Sequence, residues 1–158
     1  MDPAKPMVAY SMRSWVPRKM KDALQPGARL GPYEIVAPLG AGGMGEVFRA
    51  RDTRLGRDVA VKVLPEEISR DAKRRARFEQ EARTAGALSH PNLLTVFDVG
   101  TENGACYLVT ELVEGESLRT ELLDGALTAR RIAEIGAQIA DGLAAAHTAG
   151  VVRSKSVV

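Results

Sequence analysis

Four glycines crowd into six positions, Gly40, Gly42, Gly43 and Gly45. They lie between apolar residues in the stretch Leu39-Gly-Ala-Gly-Gly-Met-Gly-Glu-Val47. Glycine reaches positive φ without steric penalty and lets a ligand approach bare backbone. Consecutive N–H groups in such a turn form a concave site for an anion, usually a phosphate. The other reading is a flexible hairpin loop. A cation placed beside the loop would complete the anion site, and Lys62 stands within the apolar run Val59-Ala-Val-Lys-Val-Leu64. A lysine inside a buried strand is costly unless it is paired. It therefore wants an anionic ligand and a carboxylate, and the nearest helical candidates are Glu79 and Glu81. On an edge strand Lys62 would need neither.

The flanks decide the type of loop. Tyr33 to Leu39 reads as a strand, and Glu46 to Ala50 alternates with period two as a second. A dinucleotide-binding loop would open into a helix, and a Walker loop would end in Gly-Lys-Ser/Thr. Here Gly45 is followed by Glu46 and a strand. The loop is therefore the tip of a hairpin that lies over phosphates as a lid. Arg57 to Leu64, stopped by Pro65, makes the third strand.

A helix capped by Ser69 or Asp71 is predicted to run to about Leu88. Ala72, Ala76, Phe78, Ala82, Ala85 and Leu88 form its packed stripe. Lys73, Arg74, Arg75 and Arg77 read as a solvated face, with docking of an acidic partner the alternative. Glu81 lies three residues after Phe78 and four before Ala85, close to the stripe. Glu79 lies four after Arg75 and can pair with it on the surface. His90-Pro91-Asn92 ends the helix, because proline cannot continue it. Leu93 to Val99 and Cys106 to Glu111 are two further strands, joined by the turn-rich Gly100-Thr-Glu-Asn-Gly104. Ser117 caps a short helix, Leu118 to Leu123, and Thr128 caps a longer one to about His147. Ile132, Ile135, Ile139 and Leu143 share one face of the latter, which is built for burial.

The glycine loop followed by Val59-Ala-Val-Lys62 resembles the nucleotide-binding lobe of protein kinases. It is most similar to the eukaryotic-like Ser/Thr kinases of bacteria, over about Gly31 to Val152. The resemblance implies an α+β fold: a five-stranded antiparallel sheet with one long helix, then two helices of a truncated helical lobe. It implies ATP as ligand, with Leu39, Gly40, Ala41, Gly42, Gly43, Met44 and Gly45 over the phosphates. Val47 and Ala60 would sandwich adenine from above, and Thr110 would guard the back of its pocket. The carbonyl of Glu111 and the N–H of Val113 would bond the edge of the base. Phe78-Glu-Gln-Glu81-Ala82 matches the family's Phe-x-x-Glu-Ala, so Glu81 would orient Lys62 toward the α- and β-phosphates. His90 matches a structural position, as does His147.

The family's next motif is His-Arg-Asp, whose Asp is the catalytic base, and later residues hold magnesium. This chain reads Arg153-Ser-Lys-Ser-Val-Val158 there, and no carboxylate follows Asp141. The expectation is thus a truncated kinase whose catalytic base and magnesium ligands are missing. The alternative is a pseudokinase-like module that binds nucleotide or a partner. A protein substrate belongs to the complete family, and self-association through the exposed C-terminal helix is the further partner expected.

Length and composition agree with one globular unit: 158 residues, 45% hydrophobic and 27% charged. A net charge of +2 makes no case for nucleic acid. No apolar run approaches a membrane span, and the N-terminus lacks a signal-peptide core, so the expected location is the cytoplasm. One cysteine, Cys106, excludes an internal disulfide and reads as a small buried filler. Residues 1–28 read as a disordered or weakly structured basic extension, with a short helix near Trp15 and Met20 as an alternative start. Residues 29–115 read as the ATP-binding lobe and 116–158 as the start of the second.

Overall fold

The computed structural model describes residues 24–42 and 45–151. The expectations for residues 1–23, Gly43, Met44 and the last seven positions lie outside them. Among the described residues no helix is long and apolar enough to cross a membrane.

Six strands form one antiparallel sheet: β1 (Arg29–Leu30), β2 (Tyr33–Gly42), β3 (Gly45–Asp52), β4 (Arg57–Val63), β5 (Val96–Glu102) and β6 (Ala105–Glu111). Their order across the sheet is β1-β2-β3-β4-β6-β5. The five expected strands are present. The additional β1 is two residues that fold back on Tyr33 and Glu34, too short to show a period. Leu24 and Ala28 pack against the core, and Gly27 and Ala28 exchange backbone hydrogen bonds with Ile35. Ordered structure therefore begins upstream of position 29.

Period-two alternation divides the sheet into two faces. Ile35, Phe48, Ala50, Val59, Val61, Val63, Tyr107 and Val109 are buried on one. Burial of each large apolar side chain contributes about 1.5–3 kcal/mol. The sheet curls far enough that its two ends touch. The Tyr33 and Tyr107 rings meet edge to face at 6.1 Å, and Tyr33 Oη donates to Asp98 Oδ2 at 2.7 Å. Burial, and then this bond to a carboxylate, push the Tyr33 hydroxyl well above its ordinary pKa. Gly100 must be glycine for space, since a Cβ there would stand 2.4 Å from the Tyr107 hydroxyl.

Turn chemistry sets the connections. Asp52 is buried, and its carboxylate accepts N–H bonds from Arg54 at 3.0 Å and Leu55 at 3.3 Å. Burial alone would raise the Asp52 pKa; the two backbone donors and Arg54 outweigh it and hold the carboxyl below its ordinary value. The β5–β6 turn is narrower than expected and consists of Asn103 and Gly104, at φ 50° and 81°. An Asn-Gly pair with both φ positive makes the tight type I′ hairpin, so the strands extend to Glu102 and Ala105.

A short helix α1 (Glu66–Arg70), not among the expected elements, precedes the expected long helix, which is α2 (Ala72–Gly86). Asp71 separates the two with an extended backbone and caps α2, its side chain accepting from the N–H groups of Lys73 and Arg74. Both alternatives for the cap thus resolve to Asp71. Ser69 is buried and takes the Cys106 N–H at 3.1 Å instead, docking α1 against β6. Helices α3 (Leu118–Leu123) and α4 (Ala129–Thr148) start at Ser117 and Thr128, each side chain accepting an N–H of the first turn.

Candidate functional site

The face of the sheet opposite the core gathers the residues singled out above. Val47, Lys62 and Leu108 lie directly opposite one another on β3, β4 and β6, and Arg49, Ala60 and Thr110 form the next row. Side chains opposite each other in an antiparallel ladder share a face. Alternation therefore brings Lys62 beside two apolar neighbours, with Ala60 and Thr110 one row along. Lys62 is half-buried and Thr110 buried.

Beside Val47 the chain runs Gly40 opposite Val47, Ala41 opposite Glu46 and Gly42 opposite Gly45. The glycine stretch is thus the end of a hairpin joined to the strand that carries Val47. Leu39, Gly40, Ala41 and Gly42 are exposed, while Gly45 is half-buried. Gly45 has φ +112°, and a Cβ there would stand 2.1 Å from the Val63 carbonyl oxygen. The hairpin therefore sits against the end of β4 as only glycine allows.

Helix α2 runs beside β5 and buries Ala82. It holds Glu79 half-buried and Glu81 exposed. Among the described residues no ion pair joins Lys62 to either glutamate. At the far end of β6, Thr110 Oγ1 donates to the Glu111 carbonyl at 3.1 Å. The Glu111 carboxylate accepts the Thr95 N–H at 2.6 Å. That bond holds its pKa below the ordinary glutamate value. Val113, just beyond, is 68% exposed.

Two groups here were not singled out from the sequence. Arg49 and Arg51 share the face of Val47, and both bond the Asp58 carboxylate: Arg49 Nε at 3.0 Å and Arg51 Nη1 at 2.9 Å. Those donors hold the Asp58 carboxyl below its ordinary value. The alternation of Arg49 and Arg51 with buried Phe48 and Ala50 is the signal that could have found them. The second group joins the α2–β5 loop to α4. Asn92 Nδ2 donates to Asp141 Oδ2 at 3.0 Å, and His90 Nε2 lies 3.3 Å from the same oxygen. His90 Nδ1 accepts the Asn92 N–H at 3.2 Å, so Nε2 carries the hydrogen that faces Asp141. Gly142 lets the helix come this near, because a Cβ there would meet the Asn92 carbonyl at 2.8 Å. His90 has a structural place.

Among the described residues no group of three or more His, Cys, Asp or Glu side chains could hold a metal ion. A phosphate-bearing ligand fits better: a half-buried ammonium without a carboxylate partner, apolar side chains in its row, and exposed glycine backbone at the end of the adjoining hairpin.

Comparison with known proteins gives the same direction. The protein kinase domain family matches residues 33–154. Serine/threonine-protein kinase PknD of Mycobacterium tuberculosis is 44% identical over 134 residues, which cover 84% of this chain and 20% of that protein. Serine/threonine-protein kinase PknB of Mycolicibacterium smegmatis is 45% identical over 125 residues, covering 76% and 20%. Among solved structures, the PknI kinase domain of Mycobacterium tuberculosis superposes with a TM-score of 0.74 at 30% identity, over 81% of this chain and 53% of that one. The chain thus spans about a fifth of the length of these curated relatives. It belongs to the protein kinase family, among the serine/threonine kinases of bacteria.

Proposed function

We propose that the chain binds ATP on the non-core face of its sheet. The observation that carries this reading is the row Val47–Lys62–Leu108, a half-buried cation between apolar side chains, with a glycine hairpin leading into the strand of Val47. Lys62 bonds the phosphates, the backbone from Leu39 to Gly45 covers them, and Val47 and Ala60 pack on adenine. Thr110 closes the back of the pocket, and the Glu111 carbonyl and Val113 N–H bond the edge of the base. Glu81 pairs with Lys62 once α2 moves toward β4. Residues 29–115 form this nucleotide-holding unit, and 116–158 open the second lobe. In the family's reaction the γ-phosphoryl group passes to a serine or threonine hydroxyl of a protein substrate. Magnesium is the family's ion, and the described residues supply no ligand set for it.

Lys62→Ala is expected to weaken binding of a fluorescent ATP analogue by about tenfold or more, the loss of one charge-assisted hydrogen bond. Equal affinities, with both chains folded by circular dichroism, would remove Lys62 from the site.

A second interaction follows from α4. Ile132, Ile139 and Leu143 are 57%, 53% and 52% exposed on it, and Ile132, Ile135 and Ile139 line a shallow apolar cleft with Leu118, Leu122 and Leu127. Exposed apolar patches of this kind drive association, so we assign self-association of the isolated chain to this face. Light scattering should show oligomers that Ile139→Glu shifts toward monomer; a monomeric parent chain would refute the assignment.

A further inference from the structure

Residues that form a hydrogen-bonded pair in an antiparallel ladder exchange two backbone bonds. Thr95 and Glu111 exchange one. The Glu111 N–H donates to the Thr95 carbonyl at 3.0 Å, but the Thr95 N–H returns to Glu111 Oε1, not to the Glu111 carbonyl. The last ladder pair is Val96 with Thr110, and the register shifts immediately after it, between Val96 and Asp98. The Glu111 carbonyl accepts instead from the Thr110 hydroxyl. A carbonyl oxygen has two lone pairs, so one is left for another donor.

We propose that Glu111 is a positioning residue for base recognition: its carboxylate occupies the Thr95 N–H and thereby releases the Glu111 carbonyl from the ladder toward a donor on the nucleotide base. This deepens the ATP reading and rests on it. The released carbonyl lies at the end of the strand that brings Thr110 opposite Ala60, at the rim of the proposed pocket. An ionised carboxylate is the stronger acceptor for an N–H, so it outcompetes the carbonyl for Thr95. The chemistry favoured is a base with an exocyclic amine at the position facing the carbonyl, as in adenine. Hypoxanthine presents an oxygen there, acceptor against acceptor.

The test is the ratio of ATP to inosine triphosphate affinity, measured by displacement of a fluorescent nucleotide from the full chain. The parent chain should prefer ATP by about tenfold, one hydrogen bond's worth. Glu111→Ala should bring the ratio near one, because the Thr95 N–H then returns to the carbonyl. Glu111→Gln keeps a neutral acceptor and should give an intermediate ratio. A purely structural role would lower the melting temperature and leave the ratio unchanged, and that result overturns the proposal. Should the alanine variant not fold, the glutamine variant decides, a ratio equal to the parent's being the overturning outcome. A parent chain that binds both nucleotides equally overturns the role of the carbonyl. One that binds neither overturns the nucleotide reading itself.

Discussion

Gly45→Ala should destabilise the chain by about 3 kcal/mol, while Gly42→Ala leaves the melting temperature about where it was. Two costs act together at Gly45. Its φ of +112° is one that a side chain rarely adopts, and such backbone strain costs about 1–3 kcal/mol. The added methyl would also stand 2.1 Å from the Val63 carbonyl oxygen. Overpacking against a rigid neighbour costs about 1–3 kcal/mol more, and here the neighbour is the backbone of β4. At roughly 2–4 °C for each kcal/mol in a chain of this length, the melting temperature should fall by about 6–12 °C. At Gly42 an added Cβ meets nothing within 4 Å. The hairpin also carries the strand of Val47, so Gly45→Ala should weaken ATP binding as well. Thermal melts of the two variants decide: equal melting temperatures would mean that the hairpin does not rest on β4.

That contrast shows what the sequence could and could not reveal. The cluster of glycines marked the loop, and period two placed Val47, Ala60 and Lys62 on strands that the structure indeed pairs in one face. Nothing local distinguished Gly45 from Gly42, because the difference lies in Val63, eighteen positions away and brought near only by strand pairing. The same limit applies to the Glu111 carboxylate, whose partner Thr95 is sixteen residues upstream, and to Asp141, forty-nine residues from Asn92. Caps were legible because a cap bonds its own first turn: Ser117 and Thr128 start their helices as read. The long helix likewise starts at Asp71, one of its two expected caps, which satisfies two N–H groups of the first turn of α2. The placement of Glu81 was beyond local pattern altogether. Its nearness to the apolar stripe predicted a packed carboxylate, yet α2 buries only Ala82 and leaves Glu81 in solvent.

The largest effect expected is in catalysis: the 158-residue chain, assayed by itself, should not transfer phosphate to protein at a detectable rate. Kinases gain rate by positioning the γ-phosphoryl group, by neutralising its charge with magnesium, and by an Asp that accepts the substrate hydroxyl proton. General-base assistance alone is typically worth about 10²–10⁴-fold. No carboxylate follows Asp141 in these residues, and Asp141 itself is engaged with Asn92 and His90. At the family's base position the chain offers Ser154 or Lys155. A lysine is an ammonium at neutral pH and has no lone pair with which to take the proton. Lys62 and the glycine hairpin hold phosphates, but binding that does not strengthen in the transition state leaves the chemical step no faster. The assay supplies labelled ATP, magnesium and a generic basic protein, with Lys62→Met as control. Transfer equal to that control is the expected result. Transfer above it would locate a proton acceptor among these residues, and the first to replace would then be Asp141, by Asn.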